Sequence, residues 1–365
     1  MNKFITIILL LAFVSPIVRL VFGFIPYLTI FFAISVFTLI FTLKINLKNY
    51  LNIWLTVSLL SMLLISIFTR GGSLESPFYA VLSLMSMFFS YWLVGLEKKK
   101  VTRLSFYALI IFYFYFFYSS IKYGISPQDV NNFFLESSRN SVSTVAILFQ
   151  VFYSAAYYRE NNKLPNITVI ATMVICFISF GRTGIALGGL LVIVTYCSNF
   201  WSSRLMFKVL FFMFLFLGVV VAFQFFDEMQ TFIINQTNFS SGLDSPRFNM
   251  IKDYWASLDF FSFFAGTELS SIPIINKYNN NPHNSIIYGH SQYGIFYIIF
   301  ILSLFLMLAK KKLYSTGGWV YIVFVFIFFV RIFADKISLP GIFDYIFFYL
   351  FFAAQFDHCN LKRTS

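Results

Sequence analysis

Stretches of about 20 apolar residues, the length a helix needs to cross a hydrocarbon core of roughly 30 Å, recur along the whole chain. Twelve are read, near residues 4–22, 24–43, 50–68, 78–96, 104–121, 141–158, 165–180, 184–200, 205–224, 285–309, 318–333 and 342–356. They predict an all-α polytopic membrane protein. The chain is 59% hydrophobic, against about 45–50% in an ordinary soluble domain. The expected organisation is spans one to nine over 1–224, a large external loop over 225–284, and spans ten to twelve with a cytoplasmic tail over 285–365.

The N-terminus resembles a signal peptide in having Lys3 before an apolar run, yet no small-x-small cleavage site follows, and Arg19 comes soon after Pro16. It reads as a retained first helix. Sixteen of the 26 basic residues and only three of the 14 acidic ones fall on alternate short connections, among them Lys98 to Lys100, Arg159, Lys163 and Lys310 to Lys312. By the positive-inside rule that side is cytoplasmic, so both termini are expected inside. The formal +12 charge is thereby used in setting topology and leaves no contiguous basic domain for nucleic acid. Cys176 and Cys197 fall in spans and Cys359 in the tail, a pattern with neither a disulfide framework nor zinc-ligand spacing.

The loop between spans nine and ten is long enough to read as functional. Within it, LDSPRFNMIKDYWASL carries a helix signal: Asp244 or Ser245 as cap, Pro246 in the first turn, then Phe248, Ile251, Trp255 and Leu258 at helical spacing. Arg247 stands in that first turn, where the macrodipole disfavours a cation. Either it pairs with Asp244 at the surface, or guanidinium and uncapped N–H groups together take a phosphate. Arg182 sits in a second external turn, Phe180 to Gly189, after a span of only 16 residues. Gly184 and Gly188 there give the spacing at which helices pack closely. Arg182 either snorkels or joins Arg247. Two of the three histidines stand seven apart, His283 at the external mouth of span ten behind the cap residues Asn284 and Ser285, and His290 deeper on nearly the same predicted face. With Tyr288, Ser291 and Gln292 they predict a polar-lined cavity.

Taken in order, Gly181-Arg182-Thr183-Gly184, the Arg247-to-Trp255 helix, Pro282-His283-Asn284-Ser285 and Gly294 resemble the O-antigen polymerase and ligase superfamily. The resemblance covers about residues 165–350. The loop departs from the family in having Ala265-Gly266-Thr267-Glu268 where a glycine-rich stretch is usual. The resemblance implies a glycosyltransferase that works without metal or other cofactor on the periplasmic face of a bacterial inner membrane. Its partners would be undecaprenyl-diphosphate-linked oligosaccharides, membrane lipids and a chain-length regulator protein, with no nucleic acid.

The residue chemistry is compatible. A departing lipid diphosphate needs charge stabilisation, and the chain has no Asp-x-Asp pair to hold a metal for it. Arg182 and Arg247 are expected in that role, because guanidinium stays ionised and grips phosphate in bidentate fashion. His283 is expected as the base that takes the acceptor's proton, since imidazole ordinarily titrates near neutrality. His290 and Asn284 are expected as support. Arg331 and Asp335, four apart at the end of span eleven, read as a structural pair, with Arg331 a further candidate phosphate contact. The favoured activity is a polymerase joining lipid-linked repeat units. The alternatives are a ligase that moves glycan to lipid A-core and, from a different class, a flippase for the same lipid-linked sugar. Against the flippase, no two-half internal similarity of the kind many transporters carry is evident.

Overall fold

The computed structural model describes residues 3–23, 50–68, 75–135, 138–200, 246–312 and 318–361. Predicted spans 24–43 and 205–224 and loop residues 225–245, including the proposed caps Asp244 and Ser245, lie outside the described residues. What is described is helical, with no strand among the described residues. That is the outcome hydrocarbon demands, because a helix satisfies its backbone N–H and C=O groups within one segment. Among the described residues, four helices are long and apolar enough to cross a membrane: Ile5–Phe22, Ser76–Gly95, Lys98–Tyr123 and Arg182–Phe200. Shorter apolar helices cover Ile53–Ile65, Asn166–Ile178, Ile295–Leu306 and Gly318–Ala334.

Two compact units are present. Among its described helices, the first holds α1 (Lys3–Phe22), α4 (Lys98–Tyr123), α5 (Arg139–Asn161), α6 (Asn166–Ile178) and α7 (Arg182–Phe200). Helix α5 is its centre, buried from Val142 to Ala156. Phe13 of α1 meets Phe152 edge-to-face at 4.8 Å. Helices α5 to α7 approach closely through the small residues picked out in the sequence. A Cβ on Gly184 would meet Ser143 at 2.6 Å, and one on Gly188 would meet the Met173 sulfur at 2.9 Å. One group of polar residues between α4, α5 and α6 is mutually satisfied. The Tyr113 hydroxyl lies 2.7 Å from Thr172 Oγ1, which bonds Gln150 Oε1 at 3.1 Å, and Gln150 Nε2 donates to Ser154 Oγ at 2.7 Å.

The second unit holds α2 (Tyr50–Ile65), α3 (Glu75–Gly95), α8 (Pro246–Ala256), α9 (Phe260–Ala265), α10 (Pro273–Asn276), α11 (Ser285–Tyr293), α12 (Ile295–Lys312), α13 (Gly318–Ala334) and α14 (Asp344–Leu361). Its core is α14, buried from Tyr345 to Ala354 and packed on α3. The buried Asp344 carboxylate holds the turn before α14. It accepts from Leu339 N and Ser338 Oγ at 2.6 Å, from Gly341 N at 3.0 Å and from Ser83 Oγ on α3.

The expected single span over 285–309 is instead two helices, α11 and α12, broken at Gly294. Gly294 has φ +58° and ψ −144°, a conformation side chains strongly disfavour. A Cβ there would also run into the Phe264 carbonyl. The loop before α11 thus folds back and presses its backbone into the break, and only glycine leaves room for it.

Candidate active site

Three side chains of the second unit, His283, Arg331 and Asp335, meet where the approach to α11 and the end of α13 come together, and Arg247 of α8 acts on Asp335 through its charge. Pro246 opens α8 and sets Arg247 in the first turn as expected. The buried stripe of α8 is rotated from the predicted one. Met250 and Tyr254 are fully buried with Leu269, Ile272, Ile275 and Ile287, while Ile251 and Leu258 pack at the edge and Phe248 is exposed. The reason lies in Tyr254: its hydroxyl stands 2.6 Å from His290 Nδ1, and a buried hydroxyl must find a partner.

His283 does not belong to α11. Asn284 is the N-cap, its side chain accepting from Ile286 N at 2.8 Å and Ile287 N at 3.1 Å. That leaves His283 one residue outside the helix, with φ +48°. The Asn281 side chain holds this left-handed conformation by accepting from His283 N at 2.9 Å. Left-handed backbone at a non-glycine residue costs about 1–3 kcal/mol and persists where neighbours enforce it. Here it turns the imidazole onto α13: Nδ1 lies 4.0 Å from Asp335 Oδ1, and the Tyr278 ring meets the imidazole edge-to-face.

Asp335 in turn stands 4.0 Å from an Nη of Arg331, which is only 1% exposed. Ser285 Oγ donates to the Asp335 carbonyl at 2.9 Å, and Ile337 N donates to Ser285 Oγ at 3.3 Å, so the start of α11 is tied to the end of α13. Burial pushes the Asp335 carboxyl upward, but His283, then Arg331 and then Arg247 more than offset it, leaving it below the usual carboxylate range. Two guanidinium groups and one carboxylate give the cluster a net positive charge when the imidazole is neutral. Such a cluster suits an anion. Both His283–Asp335 and Arg331–Asp335 are ion-pair contacts longer than a hydrogen bond, and the His283 side chain retains 30% exposure, so ligand can reach it.

His290 faces elsewhere, and the expectation that the two histidines share a helical face is corrected by the break between cap and loop. Its ring is fully buried against Trp255 and Phe263. Nε2 lies 3.0 Å from the Phe263 carbonyl. A carbonyl only accepts, so Nε2 carries the proton and Nδ1 accepts from Tyr254, whose phenol burial pushes well above its ordinary range. His290 is therefore a neutral strut joining α11 to α8 and α9, and through α8 it fixes Arg247.

Arg182 is the first residue of α7 in the first unit, after Phe180 at φ +54° and beside Gly181, where a Cβ would meet Asn140 Oδ1 at 2.6 Å. Sequence reasoning missed Asp335 as the residue that His283 and Arg331 both approach. Its only signal was the i, i+4 spacing to Arg331, which is the spacing of countless surface pairs.

No protein-family model matches the chain, and neither a curated protein nor a solved structure matches it.

Proposed function

We propose that the protein is a polysaccharide polymerase of the inner membrane, a glycosyltransferase that joins polyprenyl-diphosphate-linked repeat units. The observation that carries this reading is the approach of His283 and Arg331 to Asp335, whose carboxyl is also lowered by the charge of Arg247. In it a base of suitable type stands beside cations that bind phosphate. An acceptor hydroxyl oxygen attacks the anomeric carbon of the donor as the bond from that carbon to the diphosphate breaks. The proton passes to His283 Nε2, while Asp335 on the Nδ1 side orients the ring and stabilises the imidazolium. The lipid diphosphate leaves as an anion stabilised by Arg247, with Arg331 behind it. Arg182 is assigned to the diphosphate on sequence grounds alone. The twelve spans, the periplasmic loop and the cytoplasmic termini belong to the same reading, and the apolar helices of both units support it.

The surface polysaccharide of a deletion strain tests it. Core capped by a single repeat unit is expected. Uncapped core with polymer retained on the lipid carrier would make the protein a ligase, and loss of all external lipid-linked repeats would make it a flippase.

A further inference from the structure

The first unit contains a site that the proposed transfer chemistry does not use. An open groove of about 960 Å³ runs between α4, α5 and α6, walled by Phe106, Ile110, Tyr153, Tyr157 and Ala171. One end is polar. Lys163 and the first turn of α6 form it, and that turn is held in place by Asn199 of α7. The Asn199 side chain accepts from Leu164 N at 2.9 Å and donates to the Leu164 carbonyl at 2.8 Å and to Asn166 Oδ1 at 2.7 Å.

Three observations at this end point to a ligand. Pro165 precedes α6, and no side chain caps its first turn, so the N–H groups of Asn166, Ile167 and Thr168 stand uncapped at the positive end of a 13-residue helix. Thr168 lines the groove and is 9% exposed as a residue, and its buried hydroxyl has no hydrogen-bond partner among the described residues. A buried hydroxyl in that state is costly unless something outside the chain completes it. Lys163 adds an exposed cation, and the turn from Arg159 to Lys163 stays net positive despite Glu160. Behind these groups the walls are apolar and aromatic and open outward, as an acyl chain requires.

We propose that the groove binds one anionic phospholipid. Its phosphate is held by Lys163 and the uncapped turn of α6, an ester or headgroup oxygen accepts from Thr168, and an acyl chain lies along Phe106, Ile110 and Tyr153. The positive-inside orientation makes this a lipid of the cytoplasmic leaflet, where anionic headgroups are drawn to basic residues. A complementary headgroup accounts for the charge, the uncapped turn and the unpaired hydroxyl together, and its chain accounts for the walls.

The test uses the full-length protein in detergent, with phosphatidylglycerol as probe and phosphatidylethanolamine and inorganic phosphate as comparisons. Native mass spectrometry should show one phosphatidylglycerol retained on the wild type after delipidation, and adding that lipid should raise the melting temperature. Lys163→Gln should weaken binding by roughly fivefold, the effect of one lysine at a membrane surface. Thr168→Val should weaken it further without lowering the melting temperature of the lipid-free protein. Ala171→Trp should block the groove and abolish retention. Should that variant not fold, Lys163→Gln, a change at an exposed side chain, decides alone. Equal retention by wild type and Lys163→Gln overturns the proposal. So does equal binding of phosphatidylethanolamine, or a full thermal shift from inorganic phosphate alone.

Discussion

The His290 strut makes a prediction whose size follows from its two contacts. His290→Ala leaves the Tyr254 hydroxyl and the Phe263 carbonyl without their partners. Each buried group stranded in this way costs about 1–3 kcal/mol, so the variant should lose about 2–6 kcal/mol before any loss of ring packing on Trp255 and Phe263 is counted. Tyr254→Phe strands only Nδ1 and should lose about 1–3 kcal/mol. His290→Gln can offer an N–H to Phe263 and an oxygen to Tyr254, and should be the mildest of the three. Because the two residues share one hydrogen bond, the double variant Tyr254→Phe/His290→Ala should be less destabilised than the sum of the singles by about 0.5–3 kcal/mol. Equilibrium unfolding of the purified protein in detergent measures all four corners of this cycle. The same loosening should weaken donor binding through Arg247 more than it slows transfer of bound donor. Additivity of the two single variants within about 0.3 kcal/mol would refute the strut.

Three further outcomes are expected. Replacing Arg247 or Arg182 with alanine at normal abundance should abolish polymer, and lysine should rescue poorly because it offers a point charge in place of a planar fork; full activity in the alanine variants would leave only snorkelling and surface pairing. Cysteines at Asn132, Thr267 and Asn279 should react with a membrane-impermeant thiol reagent in spheroplasts, and cysteines at Lys99 and Lys311 should not; the reverse labelling would put the site on the wrong side. Asp335, held below its ordinary range in the folded protein, should contribute stability that is present above the unfolded carboxyl's pKa and lost as pH falls through the lower folded one. Acid unfolding curves of wild type and Asp335→Asn should therefore converge at low pH, and curves that stay parallel would remove that linkage.

The sequence is most legible where periodicity and punctuation act locally. Apolar runs long enough for the bilayer gave the helices, Pro246 gave the start of α8, Asn284 gave the cap of α11, and the Gly184/Gly188 spacing gave a close approach that Ser143 and Met173 fill. The break at Gly294 was not legible, because a single glycine in an apolar run ordinarily stays helical. What ends α11 is the backbone of Phe264 to Gly266 arriving from the loop, and no window around Gly294 contains it. The two histidines were separated for the same reason. The left-handed turn at His283 depends on Asn281 and on Asp335 more than fifty residues away, so a helical wheel could not find it. The stripe of α8 was displaced because Tyr254, polar at its tip, is buried by a partner from another element.

The central claim is that His283 takes the acceptor's proton while the arginines hold the donor. Purified protein with a synthetic lipid-linked repeat, assayed separately for donor binding and for transfer, tests it most directly. His283→Ala should bind donor as the wild type does and lose turnover by about 10²- to 10⁴-fold, the usual scale for removing a general base. A His283→Ala enzyme that transfers at the wild-type rate would contradict the account.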